Sequence, residues 1–117
     1  ILPDDFPNLQ DAFSGMQSGD TLIIRDGVYT CTENEITYTQ KPPAGTSSKY
    51  TTIKAEHDGQ AIFLNAPCLV NDTSYIQYEG LLWHRTVHGI GLVNVGSATH
   101  PHHIKFLRCG VWSDLSL

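Results

Sequence analysis

The chain has 117 residues, with 12 acidic against 7 basic side chains, a formal net charge of −5 at pH 7, 40% hydrophobic residues and 16% charged ones. That length holds one domain, which excludes a two-domain enzyme, and the acidic balance lacks the concentrated basic face that nucleic-acid binding needs. Ten glycines and six prolines suit a turn-rich β protein better than a helical bundle, and the apolar fraction is too high for intrinsic disorder.

The opening, Ile1-Leu2-Pro3-Asp4-Asp5, has neither the basic region nor the apolar stretch of a signal peptide, and no apolar run approaches eighteen residues. Because the chain starts without methionine, a removed signal, tag or longer precursor is expected. A short helix is predicted over about residues 6–17, with Pro7 in its first turn, Leu9, Ala12, Phe13 and Met16 on one face, and Gly15 and Gly19 at its end. A β-rich run, Asp20–Arg25, follows and closes on the Asp26-Gly27 turn, after which Val28-Tyr29-Thr30 continues the extended chain. Residues 39–49, rich in Pro, Gly, Ser and Thr, read as an exposed loop.

From residue 50 onward short strands alternate with Gly, Asn, Asp or Pro, and no helical pattern returns. Three of them can be laid over one another: Thr52-Ile53-Lys54-Ala55, Tyr75-Ile76-Gln77-Tyr78 and His103-Ile104-Lys105-Phe106. Their isoleucines are 23 and 28 residues apart, and a loose repeat of short strands is the sequence signature of a solenoid. In such a coil the isoleucines, Ala55, Tyr78 and Phe106 face inward, and Lys54, Gln77 and Lys105 face out. Ala61–Leu64, Leu81–Trp83 and Ile90–Val95 supply the other faces. An antiparallel β-sandwich is the alternative, but the two-residue hairpin turns that would support it are missing.

Charge is uneven. Residues 1–40 carry Asp4, Asp5, Asp11, Asp20, Asp26, Glu33 and Glu35 against Arg25 alone, whereas residues 41–117 hold five acids, six bases and all six histidines. Cys31, Cys68 and Cys109 form neither a CxxC nor an even set, so at least one thiol is expected to be free or paired between chains. Asn71-Asp72-Thr73 is a glycosylation triplet of a kind that often arises by chance.

The run Phe6-Pro7-Asn8-Leu9-Gln10-Asp11-Ala12, followed by Ser18-Gly19-Asp20-Thr21-Leu22-Ile23-Ile24-Arg25-Asp26-Gly27-Val28-Tyr29, resembles the opening of right-handed parallel β-helix proteins of the pectate-lyase-like superfamily. The segments Tyr50–Glu56, Ser74–Leu81 and His102–Phe106 are similar to successive coils in the branch that contains chondroitinase B and the alginate lyases. The resemblance implies an all-β fold, a right-handed parallel β-helix of about four coils over residues 20–117, with the N-terminal helix as its cap and Phe13 and Met16 as the lid. It implies one domain over residues 1–117, or the N-terminal fragment of a longer one. An uncovered last coil exposes apolar side chains and strand edges, so the chain is expected to be a fragment, to be covered, or to stack on a neighbour.

Polysaccharide lyases neutralise the uronate carboxylate and remove the proton beside it, tasks for Ca2+ or arginine and for a base. In the lyases that the chain resembles, the catalytic lysine and arginine and the acidic calcium cluster lie in later coils, and no position here matches them. No catalytic residue is assigned, and Ca2+ enters only through the resemblance. Asp72, Glu79 and Asp114 are too scattered for a hydrolase pair. Candidate polysaccharide-binding residues are Lys54, Arg85, His88, Lys105, Arg108 and Trp83, with Trp112, Tyr75 and Tyr38 as further aromatic platforms. His100, His102 and His103 are candidate imidazole ligands, as are His84 and His88, although paired histidines are also ordinary turn residues and no metal is assigned. Trp112, Leu115 and Leu117 are candidates for an end contact.

The expected function is that of a carbohydrate-active lineage, binding an acidic polysaccharide or, within a longer chain, cleaving it. The alternative is a structural unit that stacks end to end into an oligomer or fibre. An extracellular, periplasmic or cell-surface location is expected, with neither nucleic acid nor membrane as partner.

Overall fold

The computed structural model describes residues 1–70, 73–86, 93–95 and 101–113. Helix α1 spans Leu9–Gly15. It starts later than predicted, because the Asn8 side chain accepts the Asp11 amide at 2.9 Å and serves as the cap, leaving Pro7 ahead of the helix. Ten strands follow among the described residues: β1 (Thr21–Ile24), β2 (Gly27–Tyr29), β3 (Thr51–Ala55), β4 (Ala61–Leu64), β5 (Cys68–Val70), β6 (Ser74–Glu79), β7 (Leu81–Arg85), β8 (Val93–Val95), β9 (His102–Leu107) and β10 (Gly110–Ser113).

Every described strand pair is parallel, which rules out the antiparallel sandwich. The first sheet has the order β1-β3-β6-β9, the second β10-β7-β4-β2 and the third β5-β8. The chain visits the sheets in turn and comes back to each one strand further along. Ile36 opens the third face, bridging to Cys68 in parallel, so that the first circuit touches all three.

Inward positions repeat at every second residue and meet their equivalents in the next circuit. Leu22, Ile53, Tyr78 and Phe106 share one rung of the first sheet, and Tyr29, Phe63 and Trp83 one rung of the second. Tyr29 stacks on Phe63 at 5.5 Å between centroids and Phe63 on Trp83 at 6.0 Å. The expected inward set of Ile53, Ala55, Ile76 and Tyr78 is buried, while Ile104 and Phe106 in the last circuit are half-buried. Register differs from the predicted superposition in one place. Ile76 stands beside Ile104 as expected, but Ile53 stands beside Tyr78 rather than Ile76. A slip of two residues keeps each side chain on its own face, so alternation alone could not detect it.

The N-terminal end is sealed by more than the predicted lid. Phe13 is buried and Met16 packs against the core, but Leu2, Leu9 and Ala12 are fully buried as well. The Leu2 amide donates to the Ile23 carbonyl and the Leu2 carbonyl accepts the Arg25 amide, which covers the outer edge of β1. The loop over residues 39–49 is irregular as expected, with Pro42 buried beneath it.

Truncating Phe63 to alanine removes the middle ring of the aromatic rung and should cost about 3–5 kcal/mol in denaturant unfolding. Val28→Ala on the same sheet, at a side chain 61% exposed, should change stability by less than about 0.5 kcal/mol.

Candidate functional site

On the outer face of the first sheet, the pairing of Thr51 with Ile76 and of Ile76 with Ile104 brings the preceding residues, Tyr50, Tyr75 and His103, into one column. Tyr75 and His103 both hold left-handed backbone, with φ of 57° and 56°. Non-glycine residues adopt that conformation rarely, and its recurrence in adjacent circuits turns both rings the same way. Tyr75 lies flat on His103 at 4.5 Å, with 15° between the planes, and Tyr50 meets Tyr75 edge-on at 5.5 Å. His102 is edge-on to Tyr75. The Lys105 ammonium sits 4.4 Å from the centre of the Tyr50 ring, a cation–π contact. Lys54 is exposed on the same face, in the rung of Ile23 and Glu79. Gly45 approaches from the 39–49 loop, its amide donating to the Ser74 carbonyl, and a Cβ there would meet the Tyr75 carbonyl oxygen at 2.6 Å.

The other expected residues are distributed differently. Trp83 cannot serve as a surface platform, because it faces inward and is 1% exposed between Phe63, Tyr78 and Phe106. Arg108 is committed to two carboxylates, its Nε donating to Asp58 and its Nη2 to Glu79, both at 2.8 Å. The two carboxylates hold the Arg108 pKa above its usual value, first through the Asp58 hydrogen bond and then through that of Glu79. Gly80, paired in position with Arg108, is also left-handed at φ 68°, and a Cβ there would collide with the Asp58 carboxylate. Arg85 belongs to the second sheet, where its Nε donates to Ser113 at 3.2 Å, so it does not join Lys54 and Lys105. Trp112 stacks on His84 at 4.2 Å and is 55% exposed, consistent in placement with an end contact. Tyr38 is exposed, with the Lys41 ammonium 5.2 Å from its ring centre. His88, His100, Leu115, Leu117, Asn71, Asp72, Ile90 and Asp114 lie outside the described residues.

His102 and His103 approach one another through their Nδ1 atoms at 2.7 Å. Asp26, Glu56 and His57 also gather at the surface, with ligand-type atoms within 4.8 Å of one another. The His57 Nδ1 is already engaged by Asp26 at 2.9 Å, and two exposed carboxylates with an imidazole do not fit the six to eight oxygens that calcium takes. A shallow polar cleft of about 250 Å³ lies between α1 and the 39–49 loop, lined by Gln10, Phe13, Ser14 and Lys41 among others, below the size usual for small-molecule pockets.

The thiols divide by depth. Cys31 is exposed, Cys109 half-buried and Cys68 buried, all three free. Burial first, and the neighbouring Cys109 second, push the Cys68 thiol upward, which keeps it protonated and unreactive. Among the described residues no helix is long and apolar enough to cross a membrane. No family model, curated protein or solved structure matches the chain.

The column Tyr50, Tyr75, His103 was hidden by the two-residue slip, since the predicted superposition set Thr52 where Tyr50 stands. The signal existed: Tyr50 and Tyr75 are one circuit apart, as Thr51 and Ile76 are.

His57 ties the β3–β4 turn to the β1–β2 turn. The hydrogen bond that His57 donates to the Asp26 carboxylate, then the charge of Asp26, raises the His57 pKa above 6.5. The stabilisation is therefore complete below about pH 6.5 and fades as pH rises through the raised value. NMR titration of His57 should show that elevation, and Asp26→Asn should bring it down toward 6.5.

Proposed function

We propose that the three parallel sheets form a right-handed parallel β-helix and that the outer face of its first sheet binds an acidic polysaccharide. The observation that carries the proposal is the column of Tyr50, Tyr75 and His103 flanked by Lys105 and Lys54. The three rings hold one position on adjacent strands about 4.8 Å apart, close to the advance per sugar in an extended glycan, with Lys105 on β9 beside Gln77 and Lys54 on β3 beside Glu79. One flat face of Tyr75 is taken by His103, so recognition draws on the ring edges, the phenol hydroxyls, the imidazoles and the ammonium groups. The chain as a whole repels polyanions at a net charge of −5. Its acids concentrate in residues 1–40, however, and salt at about 0.1 M screens charges beyond about 10 Å, leaving the local cations of the first sheet to dominate. The right-handed sense rests on the general handedness of parallel crossovers, and the resemblance to the chondroitinase B branch points the same way.

Isothermal titration calorimetry with polygalacturonate oligosaccharides at about 0.1 M salt should give binding that weakens as salt is raised further. A Lys54→Ala/Lys105→Ala double substitution should lower affinity several-fold, while Val28→Ala leaves it unchanged. Equal affinity for the double variant and the parent protein would overturn the assignment of this face.

The alternative of end-to-end assembly has its own observation. Val111 points inward in the Trp83 rung yet is 58% exposed, and Leu107 and Trp112 are exposed nearby. The seal formed by Leu2 and α1 obstructs a head-to-tail contact at the other end. Light scattering at two concentrations should therefore show no growing filament, and a mass that climbs with concentration would promote assembly over glycan binding.

A further inference from the structure

His102 and His103 open β9 side by side, with their Nδ1 atoms 2.7 Å apart and their ring centroids 4.9 Å apart at 78°. The centroid separation is close to the contact distance plus one ring radius at either end, so the two nitrogens face each other along a single line. Ligands of one ion converge on a point instead, and an ion set on that line would need the nitrogens about 4 Å apart at usual metal–imidazole distances. The contact is a hydrogen bond. Between two imidazole nitrogens such a bond holds one proton: with none the lone pairs repel, and with two the N–H groups collide.

The surroundings hold the pair in place. His103 is clamped flat against Tyr75 of β6 in left-handed backbone, and His102 meets the edge of the same ring. Tyr50 lies beyond Tyr75, and Lys105 follows two residues along β9. Among the described residues no ion pair joins either imidazole to a carboxylate.

We propose that His102 and His103 form a shared-proton pair that takes up one proton when an acidic polysaccharide binds; this rests on the binding reading above. In the neutral pair one Nδ1–H donates to the bare Nδ1 of the partner ring, and the donor ring keeps a bare Nε2. That Nε2 takes a proton from solvent. Both Nε2 atoms then carry hydrogen, one proton stays between the Nδ1 atoms, and the pair holds a single positive charge beside Lys105. The charge strengthens the hydrogen bond, and a second proton would break it. Uptake therefore stops at one, where two independent histidines would accept two.

Two measurements on the full chain separate this from the binding reading. In the 15N-labelled protein without glycan, a through-hydrogen-bond coupling between the two Nδ1 atoms is expected, and it should vanish in His102→Gln and in His103→Gln. Calorimetry with polygalacturonate oligosaccharides between pH 5 and 8, in two buffers of different ionisation enthalpy, should count up to one proton taken up. Affinity should rise by at most tenfold per pH unit as pH falls across this range, the limit set by uptake of one proton, and this dependence should disappear in the His102→Gln/His103→Gln double variant. Absence of the coupling overturns the pair. Coupling with pH-independent affinity, with uptake of two protons, or with a pH dependence that the double variant retains overturns the gating and leaves glycan binding standing. Coupling with no glycan binding at any pH overturns the binding reading, and the gating with it.

Discussion

Parallel, in-register stacking is the constraint on which everything else depends. Because each strand lies beside its equivalent in the next circuit, an inward side chain packs chiefly against residues of the same rung. The demand is for compatible shapes in columns: Tyr29, Phe63 and Trp83 in one, Leu22, Ile53, Tyr78 and Phe106 in another. The backbone groups of each strand are satisfied by its neighbours, so an outermost strand needs a cover of its own. Leu2 meets that need at β1 by lending its amide and carbonyl to the edge, and α1 lays Leu9, Ala12 and Phe13 over the apolar interior.

The same geometry organises the outer face. A column that is apolar inside becomes, one residue away, a column of whatever faces solvent, and on the first sheet that column is aromatic and cationic. Left-handed backbone at Tyr75 and again at His103 is a local cost repeated in register, and it produces the parallel stack of their rings. The phenols, imidazoles and ammonium groups are thereby concentrated on one face, where Glu79 beside Lys54 is bonded to Arg108.

Several cations and aromatics that look available in one dimension are spoken for in three. Arg108 bridges Asp58 and Glu79, joining the β3–β4 turn to β6 and to the turn that follows β9. Trp83 fills the interior because alternation along Leu81–Arg85 gives it the inward position. Its indole N–H is buried without a hydrogen-bond partner, a cost outweighed by the area that the ring removes from water.

The β-rich class, the amphipathic opening helix, the inward and outward faces of β3, β6 and β9, and the division between an acidic first third and a histidine-bearing remainder are legible in the residues alone. These follow from composition and from periods of two and 3.6, which are local properties of the chain. The register between circuits emerges only from three-dimensional packing, because a slip of two residues leaves every side chain on its proper face and so leaves no trace in the alternation. With the register came the column of Tyr50, Tyr75 and His103, the removal of Trp83 from the surface and the engagement of Arg108. Each of these depends on residues 20 to 50 positions apart lying within a few ångströms, a distance relation that strand stacking imposes and local sequence does not encode.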